Sequence, residues 1–346
     1  MRIFSPPKKR RLKVLYSSSN YYSLARVAKT YRGLISESCI ITDRLEDAEV
    51  VILHHPPHRY PAIYRRYPEL HKKYVVACAV WEASSLSQDH LYGLSLVQEV
   101  WTCSDYCAAV FRRWHPRVVV VPHVIERDIA YTSADLLAIK QLLRHDQETL
   151  YLLTIARICD KRKNLGDLAD AAMSVRELDP RFKLIVKGIP SDPDHVFDAE
   201  IVTLREYLSE AQLNALYSLS SLYVSAHHAE GWGLSISDAI LFDVPIVATE
   251  YSGNLQYLDH STSYLIPCRC EYIRAEDCFG LFDHSMQWAY MSVEDIVITI
   301  RRAYEEILSG EATVRTRLAK GHAQGFSRAA VGDVITERLK SIAAAM

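Results

Sequence analysis

The stretch that decides the fold is Ala226-His-His-Ala-Glu-Gly-Trp-Gly-Leu-Ser-Ile-Ser-Asp-Ala-Ile-Leu-Phe-Asp-Val-Pro-Ile-Val-Ala-Thr-Glu-Tyr-Ser-Gly253. It opens at the end of a short apolar run of strand type, Leu222–Ala226. A loop carrying Glu230, Gly231 and Gly233 follows, then a helical pattern over Leu234–Phe242 and a second strand run, Pro245–Thr249. Strand, loop, helix and strand in this order form a βαβ unit, the building block of a parallel sheet. In open parallel sheets, ligands bind beyond the carboxyl ends of the strands, so the loop is where chemistry is expected. Amides at a helix start, together with the helix dipole, favour an anion such as phosphate. Glycines let the backbone approach a ligand closely. A carboxylate beside a phosphate repels it unless it binds something else, and an ionised carboxylate can accept two hydrogen bonds from the vicinal hydroxyls of a sugar. The same residues also fit a plain strand–loop–helix connection with an acid near the dipole, and the segment alone does not separate the two. Ile236 stands where the third glycine of G-x-G-x-x-G belongs, which argues against a dinucleotide fingerprint.

Working outward, strand-type runs recur at Leu12–Tyr16, Val50–Leu53, Tyr74–Val80, Val97–Cys103 and Val118–Val121. After a polar helical segment, Ser133–Gln147, a second set starts with Leu150–Ile155 and Lys183–Lys187. Helical patterns at Leu24–Tyr31, Gly166–Leu178, Ser209–Leu219, Val293–Leu308 and Val331–Ile342 fill the intervals. This alternation predicts an α/β protein with two doubly wound domains facing each other across a cleft. The expected boundaries are 1–147, 148–325 and a terminal helical segment, 326–346.

The composition fits that reading. A chain of 346 residues accommodates two domains. It is 49% apolar and 24% charged, with a net charge of −2, which argues against a dedicated nucleic-acid binder. No apolar run reaches the ~18 residues of a membrane span. The opening residues are basic but lack the apolar core of a signal peptide, so a cytoplasmic protein is expected. The spacing of the eight cysteines fits neither a disulfide framework nor a zinc site; Cys268, Cys270 and Cys278 read as loop residues, and reduced thiols are expected. Glycine is scarce, 12 in 346, against about 7% in ordinary proteins. Only Gly33 and Gly93 precede residue 150, whereas Gly188, Gly231, Gly233 and Gly253 fall on strand-end loops of the second half.

A second segment, Thr154-Ile-Ala-Arg-Ile-Cys-Asp-Lys-Arg-Lys-Asn164, also follows a strand. Arg157, Lys161, Arg162 and Lys163 converge there, a cluster able to neutralise a diphosphate and stabilise it as a leaving group. An isolated basic loop is otherwise a solvated one.

Together the two segments resemble the retaining, nucleotide-sugar-dependent glycosyltransferases of family 4, the glycosyl transferases group 1, which have the GT-B fold. The resemblance rests on Arg157, Lys163 and Asn164, on Glu230-Gly-Trp-Gly-Leu-Ser-Ile-Ser-Asp238, and on Val244-Pro-Ile-Val-Ala-Thr-Glu-Tyr-Ser-Gly-Asn254. It is densest between residues 150 and 270. It implies that Arg157 and Lys163 bind the donor diphosphate, with Arg162 beside them. Glu230 then contacts the donor sugar or the reacting centre, and Asp238 holds the ribose hydroxyls. Amides of Gly233, Leu234 and Ser235 meet phosphate or sugar. Ser252, Gly253 and Asn254 line the same pocket, and Lys187, Gly188 and Arg205 lie near the base. The family implies a nucleoside-diphosphate-sugar donor, no required cofactor and no bound metal. Departures are Asp238 where Glu is usual, Ser235-Ile236 after Gly-Leu, and Asp243-Val244 before the proline.

In the first domain, Ser17-Ser18-Ser19-Asn20 stands where many relatives have a glycine loop. Val80-Trp81-Glu82-Ala83-Ser84, Glu99-Val-Trp-Thr-Cys-Ser104 and Trp288 resemble a Trp-Glu subset of the family. Glu82 is then the candidate to orient or deprotonate an acceptor hydroxyl; a helix-start acid is the competing reading. His123, after another strand end, either faces the cleft or is a hydrogen-bonded loop residue. The resemblance implies that 326–346 crosses back to the first domain, with Ser327 as N-cap. Lys8–Lys13 holds five basic residues in six positions, a stretch suited to anionic lipid at a membrane surface or to solvent.

The expected activity is transfer of a hexose from a nucleoside diphosphate to a hydroxyl of a glycan or lipid-linked acceptor with retention, in cell-surface polysaccharide or glycoconjugate synthesis. The alternatives are a non-catalytic sugar-nucleotide-binding subunit, and a phosphorylase or epimerase on the same fold.

Overall fold

The structure, a computed structural model, describes residues 11–193 and 197–346. Of the basic stretch, Lys8, Lys9 and Arg10 lie outside the described residues. The first half alternates β1 (Lys13–Ser18), α1 (Tyr22–Ser38), β2 (Ile40–Ile41), β3 (Val50–His54), α2 (Tyr60–Arg66), β4 (Tyr74–Cys78), α3 (Gln88–Leu94), β5 (Glu99–Thr102), α4 (Asp105–Arg112) and β6 (Val118–Val120). Helix α5 (Ser133–Leu143) leads out of it. The second half runs β7 (Leu150–Ile155), α6 (Leu165–Leu178), β8 (Phe182–Lys187), β9 (Val202–Leu204), α7 (Glu210–Ser218), β10 (Leu222–Ser225), α8 (Leu234–Leu241), β11 (Ile246–Thr249) and β12 (Tyr264–Ile266). A hairpin, β13 (Arg269–Tyr272) and β14 (Gln287–Tyr290), precedes α9 (Val293–Ser309), α10 (Ala312–Ala323) and α11 (Arg328–Ala345).

Each half builds one six-stranded sheet, and every strand pair in both sheets is parallel. The central strands are buried on both faces, which explains their unbroken apolar runs: Val50–His54 and Leu222–Ser225 are buried throughout. The second sheet has the order β12-β11-β10-β7-β8-β9. The chain builds outward from β7 in one direction and then returns to place β10 on its other side. The connections after β7 and β10 therefore leave on opposite faces and open a crevice between them. In the first sheet, order β2-β1-β3-β4-β5-β6, the corresponding break lies between β1 and β3.

The two halves share one apolar core. Trp81, Ala83, Cys103 and Cys107 of the first pack with Ala229, Trp232, Tyr257 and Trp288 of the second. Helix α11 returns to the first sheet, as expected. Its buried face, Val331, Ile335, Leu339 and Ile342, has helical spacing and joins Tyr31, Leu34 and Ile35 of α1. Ser327 caps it by accepting from the Ala330 amide at 3.3 Å.

Several elements differ from the sequence reading. The segment at 24–31 is one part of the longer α1, and α5 stops at Leu143, where Arg144 turns left-handed at φ 47°. Glu82 does not start a helix, since α3 begins at Gln88. Cys270 sits within β13, flanked by Cys268 and Cys278 in loops. All eight cysteines are free. No described helix is long and apolar enough to cross a membrane.

Glu99 anchors α11. Its carboxylate is fully buried and accepts from Arg338 Nε at 2.6 Å, from Trp101 Nε1 at 2.7 Å and from Tyr74 Oη at 3.0 Å, and Arg338 Nη2 adds a second bond. Breaking a buried pair by removing one partner costs roughly 3–5 kcal/mol, because the other charge is left uncompensated. Arg338→Met is therefore expected to lower stability toward the lower end of that range in urea unfolding, since Arg338 keeps some solvent contact. Adding Glu99→Gln is expected to return most of the loss. Equal stability of Arg338→Met and the native chain would remove this anchor.

Candidate donor site in the interdomain cleft

The loops after β7 and β10 meet in the crevice between those strands. The first is held by its own turn: Asp160 accepts from the Arg162 amide at 3.1 Å, and Asn164 takes the left-handed φ of 48° that lets α6 start at Leu165. The second is tied to the first by a bond from the His228 amide to the Arg162 carbonyl, 2.7 Å. Lys163 Nζ donates to Glu230 Oε1 across the crevice, joining the two loops through their charges. Burial opposes ionisation of Glu230, but the charges of Lys163 and Arg162 outweigh it and hold the carboxyl down to about 2. Glu230 is thus a carboxylate at neutral pH.

Ser252, Gly253 and Asn254 form the scaffold beneath Glu230. Ser252 Oγ accepts from the Glu230 amide at 2.8 Å, and the Gly253 amide donates to the Glu230 carbonyl at 2.8 Å. A Cβ on Gly253 would sit 1.9 Å from the Gly231 carbonyl oxygen, and one on Gly231 would sit 2.0 Å from Val80 Cγ1. Both positions therefore require glycine. Asn254 is fully buried and donates to the Thr249 carbonyl at 2.8 Å. Its Oδ1 faces His227 Nε2 at 3.1 Å, so the neutral ring carries its proton there. Burial lowers His227 to about 4. Gly233, at φ 84°, turns the chain into α8, and its carbonyl accepts from the Ile236 and Ser237 amides. Leu234 and Ser235 begin the helix, and Ser235 Oγ donates to the Ile155 carbonyl at 3.2 Å at the end of β7. Gly188, after β8, packs against Ile158 and Asp192.

Arg157 and Arg162 bring donors with no acceptor. Arg157 Nε, Arg162 Nε and Arg162 Nη1 are buried and make no hydrogen bond, although Arg162 Nη1 lies 3.2 Å from Glu82 Oε1 and Arg157 Nε 3.7 Å from Asp192 Oδ1. Asn164 Nδ2 is also buried without a partner. A buried donor left unpaired costs about 1–3 kcal/mol, so a site built this way favours an anion. Among the described residues no group of three or more His, Cys, Asp or Glu side chains could hold a metal ion.

From the first half, Glu82 reaches this cluster through Arg162. Burial raises its carboxyl above the usual range, and the Arg162 charge pulls the other way. Glu82 lines a cavity of about 300 Å³ with Tyr21, Arg157, Cys159, Asp160, Arg162, Phe279 and Phe282. His123 does not line that cavity: its ring is buried, bonded to Tyr31 Oη at 2.9 Å and packed 5.4 Å from Trp232. Burial holds it neutral, at about 3. The serine loop is pinned by the Ser19 amide to the His54 carbonyl, 3.1 Å; Ser18 ends β1, and exposed Asn20 leads into Tyr21.

Asp238 is engaged from the opposite side. It is buried in the second turn of α8, and its two oxygens accept from Arg26 Nη1 at 2.7 Å, Arg26 Nη2 at 2.6 Å and Arg127 Nη1 at 3.0 Å. Arg127 also bonds Asn214 Oδ1 and pairs with Glu210 at 3.0 Å. A ribose reaching Asp238 meets a carboxylate already shared by two guanidinium groups. Sequence reasoning missed Arg26 and Arg127, which no local motif marks, and also Phe279 and Phe282. Trp288, buried in the core, also donates from Nε1 to the Glu82 carbonyl at 2.8 Å and so fixes the Glu82 backbone.

The Lys163–Glu230 pair sets a pH dependence. Glu230 is held at about 2 in the folded chain, against about 4.3 for an unperturbed glutamate. The folded value is the lower one, so the pair's contribution is present above the unfolded value and is lost as pH falls toward the folded one. Lys163→Met is expected to destabilise the protein near neutral pH, with the difference from wild type shrinking between about pH 4.3 and 2. Urea titrations across that range measure it. A difference that stays constant with pH would show that Lys163 does not hold the carboxylate.

Residues 149–275 match the family model described as glycosyl transferases group 1. Two curated relatives, the trehalose synthases of Thermococcus litoralis and Pyrococcus furiosus, are each 23% identical over 170 residues, covering 43% of this chain and 41% of the relative. The chain thus spans less than half the length of these relatives. Among solved structures, Anabaena Alr3699/HepE in complex with UDP and glucose superposes with a TM-score of 0.69 at 14% identity, over 96% of this chain and 100% of that one. Sucrose-phosphate synthase from Thermosynechococcus elongatus gives 0.66 at 14% identity, over 97% and 100%. The stretch holding Arg157, Lys163, Glu230 and Asp238 therefore carries the sequence pattern of glycosyl transferases group 1, on a chain with the GT-B fold.

Proposed function

We propose that the protein is a glycosyltransferase that uses a nucleoside-diphosphate hexose, with UDP-sugars the first donors to test. The observation that carries the proposal is the unpaired set of buried donors on Arg157 and Arg162, beside the Lys163–Glu230 pair, at the topological break of the second sheet. That set suits a diphosphate. A carboxylate next to it suits the hydroxyls of the sugar that the diphosphate carries. The structural likeness to an Anabaena protein crystallised with UDP and glucose supports the same choice.

In the proposed reaction the diphosphate takes Lys163 Nζ and the Arg157 donors, which frees Glu230 for the donor sugar. The bond from the anomeric carbon to the diphosphate oxygen breaks as the acceptor oxygen bonds to that carbon. The acceptor proton passes to the departing phosphate oxygen. Attack on the face that the nucleotide leaves gives retention, as the resemblance to retaining family 4 enzymes implies. The cations stabilise the leaving group in place of a metal. The acceptor is a glycan or lipid-linked hydroxyl, in cell-surface polysaccharide or glycoconjugate synthesis. The eight free thiols support a reducing, cytoplasmic setting.

A second reading, a sugar-nucleotide-binding subunit without catalysis, is favoured by one observation: Asp238 is occupied by Arg26 and Arg127. Incubation with UDP-hexoses and a panel of glycoside acceptors separates the two, with product and anomeric configuration read by proton NMR. Transfer with retention is expected. Lys163→Ala is expected to reduce turnover roughly 100-fold or more while leaving the fold intact. UDP-sugar binding without transfer to any acceptor would favour the subunit. Undiminished transfer by Lys163→Ala would remove the diphosphate role.

A further inference from the structure

A carboxylate has about four places for hydrogen bonds, two on each oxygen. On Asp238 three of them are filled. Arg26 Nη2 donates to Oδ1 at 2.6 Å, and Arg26 Nη1 and Arg127 Nη1 share Oδ2 at 2.7 and 3.0 Å. The Asp238 side chain is only 5% exposed, and a pair of vicinal hydroxyls needs two places, not one. The guanidinium groups are themselves held. Arg127 bonds Asn214 Oδ1 and pairs with Glu210 at 3.0 Å. Buried Asn214 in turn donates to the carbonyls of Asp128 and Ala130 at 3.2 and 2.9 Å. Tyr22, one turn before Arg26 on α1, donates to Glu210 Oε1 at 2.8 Å. Residues at i and i+4 share a helix face, so one face of α1 is fastened to α7 through Tyr22 and to α8 through Arg26.

This clamp borders the donor crevice on two counts. Tyr21, the residue before α1, lines the same cavity as Arg157. Ser235, three residues before Asp238 on the same face of α8, donates to the carbonyl of Ile155, two residues before Arg157. A ribose could reach the Asp238 carboxylate only by expelling Arg26. That exchange breaks two bonds between full charges in a fork geometry and replaces them with bonds from neutral hydroxyls. It also unfastens α1 from α8. The carboxylate is therefore committed to joining the halves.

We propose that Arg26 sets the nucleotide specificity of the donor site: by holding Asp238 in an interdomain clamp it denies the carboxylate to the ribose, and the site accepts ribo- and 2′-deoxyribonucleoside diphosphates alike. This rests on the donor reading above, and it departs from the ribose role that the family resemblance implies for Asp238. Recognition then falls on the diphosphate, which both kinds of nucleotide carry unchanged. Arg26 acts through Asp238 and needs no contact with the nucleotide.

The test uses the full chain and two ligands, UDP and 2′-deoxy-UDP, titrated by calorimetry under one salt condition. For the native chain the two affinities are expected to lie within about threefold of each other. Arg26→Met removes both bonds of the fork and leaves Oδ1 open, with Arg127 alone on Oδ2. It is expected to bind UDP roughly tenfold more tightly than 2′-deoxy-UDP, because the 2′-hydroxyl gains a charged acceptor. Urea unfolding checks that the variant is folded; if it is not, the native ratio alone decides. The proposal is overturned if the native chain prefers UDP by about tenfold or more, or if folded Arg26→Met shows no preference. Failure of both nucleotides to bind the native chain overturns the donor reading as well, whereas binding of UDP alone overturns the role of Arg26 and leaves the donor reading intact.

Discussion

The cleft is organised by the contact of Lys163 with Glu230. Two loops that leave a parallel sheet on opposite sides of a topological break have no backbone ladder to hold them together. Here a charge pair and one amide–carbonyl bond, His228 to Arg162, do so. Everything beneath serves to keep Glu230 in place: the Ser252 hydroxyl on its amide, the Gly253 amide on its carbonyl, and Asn254 and His227 below. This geometry leaves no room for a side chain at Gly231 or Gly253. At Gly253 the obstacle is the backbone of Gly231, and at Gly231 it is the Val80 side chain.

The same cluster spans the two halves. Arg162 lies between Asp160 on its own loop and Glu82 of the first half. On the far side of the Glu230 loop, Asp238 holds Arg26 and Arg127. Two separate ion clusters therefore cross the cleft, and Trp81, Cys107, Trp232 and Trp288 join the halves through an apolar core. Within the first cluster, Arg157 Nε, Arg162 Nε and Arg162 Nη1 stay without a hydrogen-bond acceptor, although Arg162 is ion-paired to Asp160 and Glu82. Asp238 pairs with Arg26, which comes from α1 of the opposite half.

Much of this was legible in the sequence where the signal is local. The buried runs of β7, β8, β10 and β11 gave the parallel sheet, and the residues that follow them named Arg157, Lys163 and Glu230. Partners distant in the chain were not legible. Arg26 and Asp238 are 212 positions apart, and nothing around Arg26 distinguishes it from any other helix-surface arginine. The hairpin was missed for another reason. All four residues of β13 are exposed, so it lacks the alternation that marks a half-buried strand. Strands β2, β9 and β12, of two or three residues, are too short to show a period at all. The turn Phe279–Phe282 gains its meaning only when Trp81 and Trp288 are brought against it.

The proposed chemistry requires the loop from Arg157 to Asn164 to receive a diphosphate. Calorimetric titration with uridine, UMP and UDP under one set of salt conditions tests this most directly. Each added phosphate brings charge to unpaired guanidinium donors and to Lys163, so affinity is predicted to rise steeply from uridine to UMP to UDP and to fall as salt is added. Equal affinity for the three, or binding that does not respond to salt, would contradict the account.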